Sequence, residues 1–421
     1  MKKDLHKGLW MSWLVWGLAA LYYFSDYMAR VAPGVMHKSL QSAFGISEAG
    51  FGLLTYSFYI PYIIMQIPVG LLVDRFSIRR LLTCMSLMTA IGCTIFALSD
   101  NLWFAAVGRM FIGFSAAFAF ISSLRLATAW FPPSMLGLLA GLTQALGMLG
   151  AAAGEAPISY LSQSLGWRQS MYCLAVLFVI LAFFLYRYIH DHESMALVKK
   201  NKNHAMSIMN SLKVVLKSRQ IWINALYAGC LFGPTAVIGE SYGPAFLQYG
   251  WGLSAHQAAT AIGFIFIGWG FGGPILGSLS DRLGHRKSLM IFSAVCTFIL
   301  TVVMIYFPLH HVGLAYMLYF IFGLTNSGVG LAYAVSTELP ARAVVGTSIA
   351  FTNMASIFVG ASLQPLVGKM IDAVAGERSF YVERLNLVDF QRPLSLLIVC
   401  AAFALILAFF VKETHCKNQA Q

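Results

Sequence analysis

Charge is what this sequence lacks. Only 10% of its 421 residues are Asp, Glu, Lys or Arg, and only 16 are acidic. A soluble globular domain carries about a quarter charged residues, so a cytosolic enzyme or a nucleic-acid binder is excluded. The net charge of +12 is therefore no nucleic-acid footprint; on a membrane protein, excess Lys and Arg collects on cytoplasmic loops. Cysteine is sparse too: seven, an odd count without a CxxC pair, which argues against a disulfide framework or a zinc site. All but Cys416 lie in apolar runs, where Cys acts as a small buried apolar residue. No metal-ligand cluster, nucleophile elbow or phosphate-binding glycine loop is present, so neither enzyme activity nor a cofactor is expected. Nor does a small-residue cleavage site follow the uncharged stretch Gly8 to Ser25, which reads as a retained first helix.

What is abundant is apolar sequence, 59% of the chain. A helix needs ~20 apolar residues to cross a ~30 Å hydrocarbon core, so twelve would use ~240. That nearly exhausts the supply. Charge-free runs place the spans at 9–32, 49–74, 81–99, 102–129, 135–160, 168–189, 220–247, 254–280, 288–307, 312–336, 344–372 and 391–411. The long run at 288–337 must hold two of them, hinged near Pro308 and His311.

One long polar segment interrupts this pattern near mid-chain, with Lys199, Lys200, Lys202, Lys213, Lys217 and Arg219. It divides an N-terminal six-helix bundle (1–189) from a C-terminal one (220–421), with 190–219 as a basic linker. Placing linker and termini on one side leaves the other with Lys38, Arg168, Lys369, Arg378, Arg384 and Arg392. The positive-inside rule then makes both termini cytoplasmic, in a cell membrane that reads as a bacterial inner membrane.

The halves repeat. Gly70 to Arg80 reads GLLVDRFSIRR and Gly277 to Lys287 reads GSLSDRLGHRK, an offset of 207 (277 minus 70). Phe131-Pro132 and Gly141 to Gln144 echo Leu339-Pro340 and Ala350 to Asn353 at offsets of 208 and 209 (339 minus 131, 350 minus 141). Duplicated six-helix halves are a signature of secondary transporters.

On these residues the whole chain resembles the major facilitator superfamily. Gly277 to Lys287 matches that family's loop pattern, G-x-L-x-D-R-x-G followed by three basic residues, except at His285. The first copy departs further, at Ser77 and Ile78. Arg109 with Gly113 resembles the fourth-helix motif, and Gly166-Trp167-Arg168 before span six is also typical. The antiporter pattern G-P-x-x-G-G is replaced by Gly147, Gly150, Gly154, Glu155 and Pro157, which points away from drug/proton exchange. Met65-Gln66, Pro68 and Gly70 with Asp26 and Arg30 look most like the solute-uptake branches: anion:cation symporters, organophosphate transporters, and bacterial dipeptide or siderophore carriers. The resemblance implies an all-α fold of twelve transmembrane helices in two pseudo-symmetric six-helix bundles.

Ionisable groups inside a membrane span are costly and mark function. Asp26 and Arg30, four residues apart, share a helical face: Asp26 is the first proton-coupling candidate and Arg30 its partner or an anion clamp. Glu155 is the second proton-coupling candidate, or a partner of Arg109. Arg125, permanently charged and able to hold a carboxylate or phosphate bidentately, either binds solute or snorkels to headgroups. Tyr23, Gln144, Tyr333 and Asn353 complete the substrate-binding set, Gln144 and Asn353 because they are equivalent in the two halves. Gating is assigned to Asp74, Arg75, Asp281, Arg282, Arg109 and Glu240; the resemblance implies that the loop aspartates cap a helix of the opposite half.

The expected activity is proton-coupled uptake, by alternating access, of a small carboxylate- or phosphate-bearing solute. Alternatives are an amino-acid or dipeptide carrier, an organic-anion exporter, and, from another class, a membrane receptor that does not transport. The expected partners are the solute, protons and the bilayer, with the protein a monomer and no metal or nucleic acid bound.

Overall fold

The computed structural model describes residues 2–66, 68–132, 135–190, 208–309, 311–341, 344–417 and 419. Helices α1 Lys2–Val35, α2 His37–Phe44, α3 Glu48–Ser57, α4 Tyr59–Met65, α5 Pro68–Arg75, α6 Ile78–Leu98, α7 Leu102–Trp130, α8 Leu136–Leu165 and α9 Trp167–Tyr188 form the first half. The second holds α10 Ile208–Lys217, α11 Arg219–Gly250, α12 Ala255–Leu283, α13 Arg286–Tyr306, α14 Val312–Glu338, α15 Val345–Ala375 and α16 Leu387–Phe410. Ten of these are long and apolar enough to cross a membrane. The long α1 and the interrupted series α3–α5 supply the first two of twelve spans. Most of the expected linker, residues 191–207 with Lys199, Lys200 and Lys202, lies outside the described residues.

Two spans are less regular than the apolar pattern implies. The hydrogen-bond series of span two is interrupted at Phe58 and again at Gln66, although both residues keep helical backbone angles. Pro61 has no N–H for the carbonyl of Ser57, and Pro68 has none for that of Ile64. Span seven, α11, contains π-helical turns at Thr235–Tyr242 and Phe246–Gly250. Here Pro234 leaves the Cys230 carbonyl without its helical donor, and the Cys400 thiol donates to it at 3.4 Å. Asn326 Nδ2 donates to the Leu231 carbonyl at 2.7 Å, and Gln364 Nε2 to that of Ala236 at 2.8 Å. Irregular backbone at membrane depth persists only where protein satisfies it.

The halves meet along two seams, α8 against α12 and α3 against α15. A methyl built on Gly263 would lie 3.6 Å from the Ala152 carbonyl, and one on Gly270 would lie 3.7 Å from Met148 Cβ. Gly141 is seven residues before Met148 and Gly277 seven after Gly270, so each continues the same helical face. A methyl on either meets nothing within 4 Å. The seam is therefore closed at the far end and splayed where α8 starts and α12 finishes, the end that also carries the start of α1 and the end of α16. The second seam is tightest at the far end, where a methyl on Gly52 or Gly368 would collide with the Gln364 or Glu48 backbone. Of the cysteines, Cys93 and Cys230 are buried, but Cys84 and Cys173 are exposed on the helix perimeter rather than in the core.

Candidate functional site

Five of the ionisable side chains singled out in the sequence are buried in the spans, each at most 4% exposed: Asp26, Arg30, Arg109, Glu155 and Glu240. Arg30, on the last third of α1, places Nη1 3.9 Å from Glu240 Oε1 on α11. The Tyr59 hydroxyl of α4 donates to Glu240 Oε2. Three spans from both halves thus converge on one ion pair. The Arg30 guanidinium also faces the rings of Tyr27 at 4.2 Å, Tyr62 at 5.0 Å and Phe58 at 5.1 Å, an arrangement in which ring quadrupoles stabilise a desolvated cation. Its Nε has no hydrogen-bond partner. Arg109, on α7, donates to the carbonyls of Ala29 at 3.0 Å and Arg30 at 3.1 Å. It fixes the backbone from which Arg30 projects.

Two expected pairings do not form. Arg30 pairs with Glu240 and not with Asp26, whose carboxylate oxygens both lack a hydrogen-bond partner. The spacing of four is correct, but Glu240 and the tyrosine rings draw the guanidinium across to α11, beyond the reach of a one-methylene side chain. Glu155 likewise has no partner for either oxygen, because Arg109 is committed to α1. Glu155 lies on the α8–α12 seam, its Cβ 3.8 Å from where a methyl on Gly263 would stand.

Two separate polar groups lie on the open-end side of this cluster. The Tyr23 hydroxyl donates to that of Tyr27 at 3.4 Å. Tyr333 Oη donates to Asn353 Oδ1 at 2.9 Å, and Asn353 Nδ2 donates across the seam to Gln66 Oε1 at 2.7 Å. Gln144 on α8 and Arg125 on α7 are half-buried nearer the open end.

At the open end, Asp281 pairs with Arg286 at 2.7 Å within its own half and is 64% exposed. Among the described residues no hydrogen bond joins it to a helix of the opposite half, and Pro133 and Ser134, just before α8 of that half, lie outside them. Arg282 is exposed beside it. Arg286 also holds Glu338 at 2.8 Å, and Glu338 accepts from Thr414 and, through its carbonyl, from the Gln419 amide. The side chains of Asp74 and Arg75 lie outside the described residues.

The far end carries a cluster that sequence reasoning missed. His37 Nε2 is 3.0 Å from Glu48 Oε2, with the imidazole stacked on Phe51 at 3.6 Å. Gln41 donates to Glu48 Oε1 at 2.9 Å, and Tyr242 of the second half donates to the Glu48 carbonyl at 2.9 Å. Ser47 donates to Asp372 across the same seam at 2.7 Å. His37 and Glu48 read as loop residues because they flank spans one and two. Tyr59 and Glu338 gave no signal beyond a tyrosine in an apolar run and a carboxylate at a span end.

A family model described as Major Facilitator Superfamily matches residues 15–365. The probable sulfoacetate transporter SauU of Cupriavidus necator is 22% identical over 283 residues, 65% of this chain and 66% of that protein. The probable nitrate/nitrite antiporter NarK1 of Thermus thermophilus is 24% identical over 298 residues, covering 68% and 63%. The membrane sensor protein UhpC of Escherichia coli is 23% identical over 299 residues, covering 66% and 67%. The matches thus span about two thirds of these relatives' lengths. Among solved structures, an inward-facing, unoccupied bacterial homolog of the human lysosomal transporter Spinster superposes with a TM-score of 0.73 at 16% identity, covering 95% of this chain and 97% of that one.

Proposed function

The chain belongs to the Major Facilitator Superfamily, and on that premise we propose that it is a proton-coupled secondary carrier for a small organic anion, working by alternating access. The observation that carries this reading is Arg30. It is a permanent charge, buried between the halves, with a single carboxylate at 3.9 Å and a free Nε. An entering carboxylate, sulfonate or phosphate finds a guanidinium fork already stripped of water, where a paired anion is held most strongly.

Proton coupling rests on Asp26 and Glu155. An ionised carboxylate without a hydrogen bond in a poorly solvated site is costly, and taking a proton removes that cost. With both neutral, Arg30 and Arg109 stand against Glu240 alone, two charges minus one, and the site favours a monoanion. Glu240 and Tyr59 then serve the far gate, since an anion that takes Arg30 loosens their hold across the seam. In this reading the termini face the cytoplasm, the splayed end opens inward, and Gln144, Tyr333 and Asn353 line the route. The names of two relatives refer to the anions sulfoacetate and nitrate or nitrite, which supports an anionic solute. An amino-acid or dipeptide carrier, or an exporter, would use the same cluster with a different charge balance. The likeness to UhpC favours one reading of another class, a sensor that binds without flux.

The test is a thermal-stability screen of purified protein against carboxylates, sulfonates, inorganic anions, phosphate esters, amino acids and dipeptides, since a ligand of the native state raises its apparent stability. At least one anion should stabilise the wild type and not a folded Arg30→Gln variant. Stabilisation only by uncharged or cationic solutes would overturn the proposal.

A further inference from the structure

The tail after α16 folds back onto the loop between α12 and α13 and brings together three side chains far apart in sequence. Glu413 is the anchor. Its carboxylate accepts the backbone N–H groups of Arg286 at 3.0 Å and Lys287 at 2.9 Å, at the start of α13, and those of Thr414 and His415 in the tail itself. His415 and Cys416 follow with φ of +52° and +57°, a left-handed turn that non-glycine residues rarely adopt. That turn sets the His415 ring against His285, with ring centroids 5.3 Å apart. His285 Nδ1 is 3.8 Å from Glu413 Oε2. One donor atom from each of the three lies within 4.8 Å of the others.

We propose that His285, Glu413 and His415 form a binding site for a divalent transition-metal ion that pins the C-terminal tail to the α12–α13 loop. Zinc–nitrogen and zinc–oxygen bonds of about 2.0–2.2 Å put the donors around one ion about 3.3 Å apart. Closing from the present separation moves two exposed imidazoles toward a carboxylate already fixed by four backbone donors. His415 Nδ1 lies 3.3 Å from the Gly284 carbonyl. Donation of Nδ1–H there leaves the Nε2 lone pair for a metal, the outer-shell arrangement usual for metal-bound histidine. Two imidazoles and one carboxylate select zinc, nickel or copper over magnesium or calcium, which take oxygen ligands. Cys416 is turned away, its thiol on the Ser280 carbonyl at 3.5 Å. His285 is also the one residue at which the second loop departs from the pattern it otherwise matches, and the departure replaces a basic side chain with a ligand. A bound ion would stiffen the open end beside Asp281, Arg286 and Glu338.

The experiment uses the full chain, free of any polyhistidine tag, titrated calorimetrically with zinc and in parallel with magnesium. One zinc per chain should bind, with magnesium inert, and His285→Ala and His415→Ala should each weaken zinc binding by at least about tenfold. Copper(II) bound at the site should report two imidazole nitrogens by electron paramagnetic resonance. Because Glu413 also caps α13, its role is read from amide exchange: zinc should slow exchange in the tail of the wild type and not of His415→Ala. Absence of saturable zinc binding, undiminished wild-type affinity in either histidine variant, or tail exchange unaffected by zinc would each overturn the proposal.

Discussion

At Arg30 a permanent charge is held by one carboxylate and by tyrosine rings instead of water. Lysine would keep the charge but lose both the planar fork and the stacking surface. Arg30→Lys should therefore fold normally and bind the anion at least about tenfold more weakly, a loss of about 1.4 kcal/mol, read from the ligand concentration needed for half-maximal stabilisation. Glu413 supplies a pH-dependent prediction. Partial burial pushes its carboxyl up, but the backbone N–H groups of His415, Arg286, Lys287 and Thr414 outweigh this and hold it below the ordinary glutamate range. A lowered folded value means that tail docking is fully stabilised above the unfolded pKa, about 4.3, and is lost as pH falls through the folded one. The protection of amides 411–417, corrected for the intrinsic pH dependence of exchange, should fall only on that acid side; uniform protection through acid would contradict this role of Glu413. The sequence singled out Arg30, Asp26, Glu155 and Glu240 because charge inside an apolar run is conspicuous. It did not reveal who pairs with whom, since Glu240 meets Arg30 across 210 residues (240 minus 30) and only helix packing decides that.

Helices α14 and α15 each carry an asparagine, and the two look alike in sequence. Asn326 is fully buried and has all of its hydrogen bonds made: it donates to the Leu231 carbonyl and Thr297, and accepts from Thr235 and Trp269. Asn353 is half-buried and, among the described residues, bonds Tyr333 and Gln66 alone. Removing Asn326 strands a carbonyl in a π-helical span, where an unsatisfied buried group costs about 1–3 kcal/mol. Asn326→Ala should lower thermal stability clearly, whereas Asn353→Ala should leave it nearly unchanged and alter solute affinity. The reverse order in a thermal melt in detergent would contradict the division. Span positions were legible because apolar length is set by the bilayer. The π turns of α11 and the interruptions of span two were not, because proline marks a lost hydrogen bond without saying whether the helix kinks, breaks or recruits a side chain.

For the whole molecule, the splayed α8–α12 seam implies a second state in which the open end closes and the far end parts. Spin labels at Gly141→Cys and Gly277→Cys, with Cys84 and Cys173 replaced because they are exposed, should give a long separation in the free protein. Glu240→Gln, which removes the charge from the far ion pair, should add a shorter population. A single distance in both proteins would contradict two-state gating at this seam. The two-fold repeat at an offset of 207 foretold the paired bundles, but which end stands open depends on contacts such as Gly52 with Gln364 that no local pattern encodes. The central claim, coupled anion transport through the Arg30 site, is tested most directly in proteoliposomes with the anion found by binding. The wild type should accumulate it when the outside is made acidic; Asp26→Asn should lose that accumulation yet still exchange the anion across an equilibrated membrane. Anion binding without any flux in the wild type, or normal pH-driven accumulation by Asp26→Asn together with Glu155→Gln, would contradict the account.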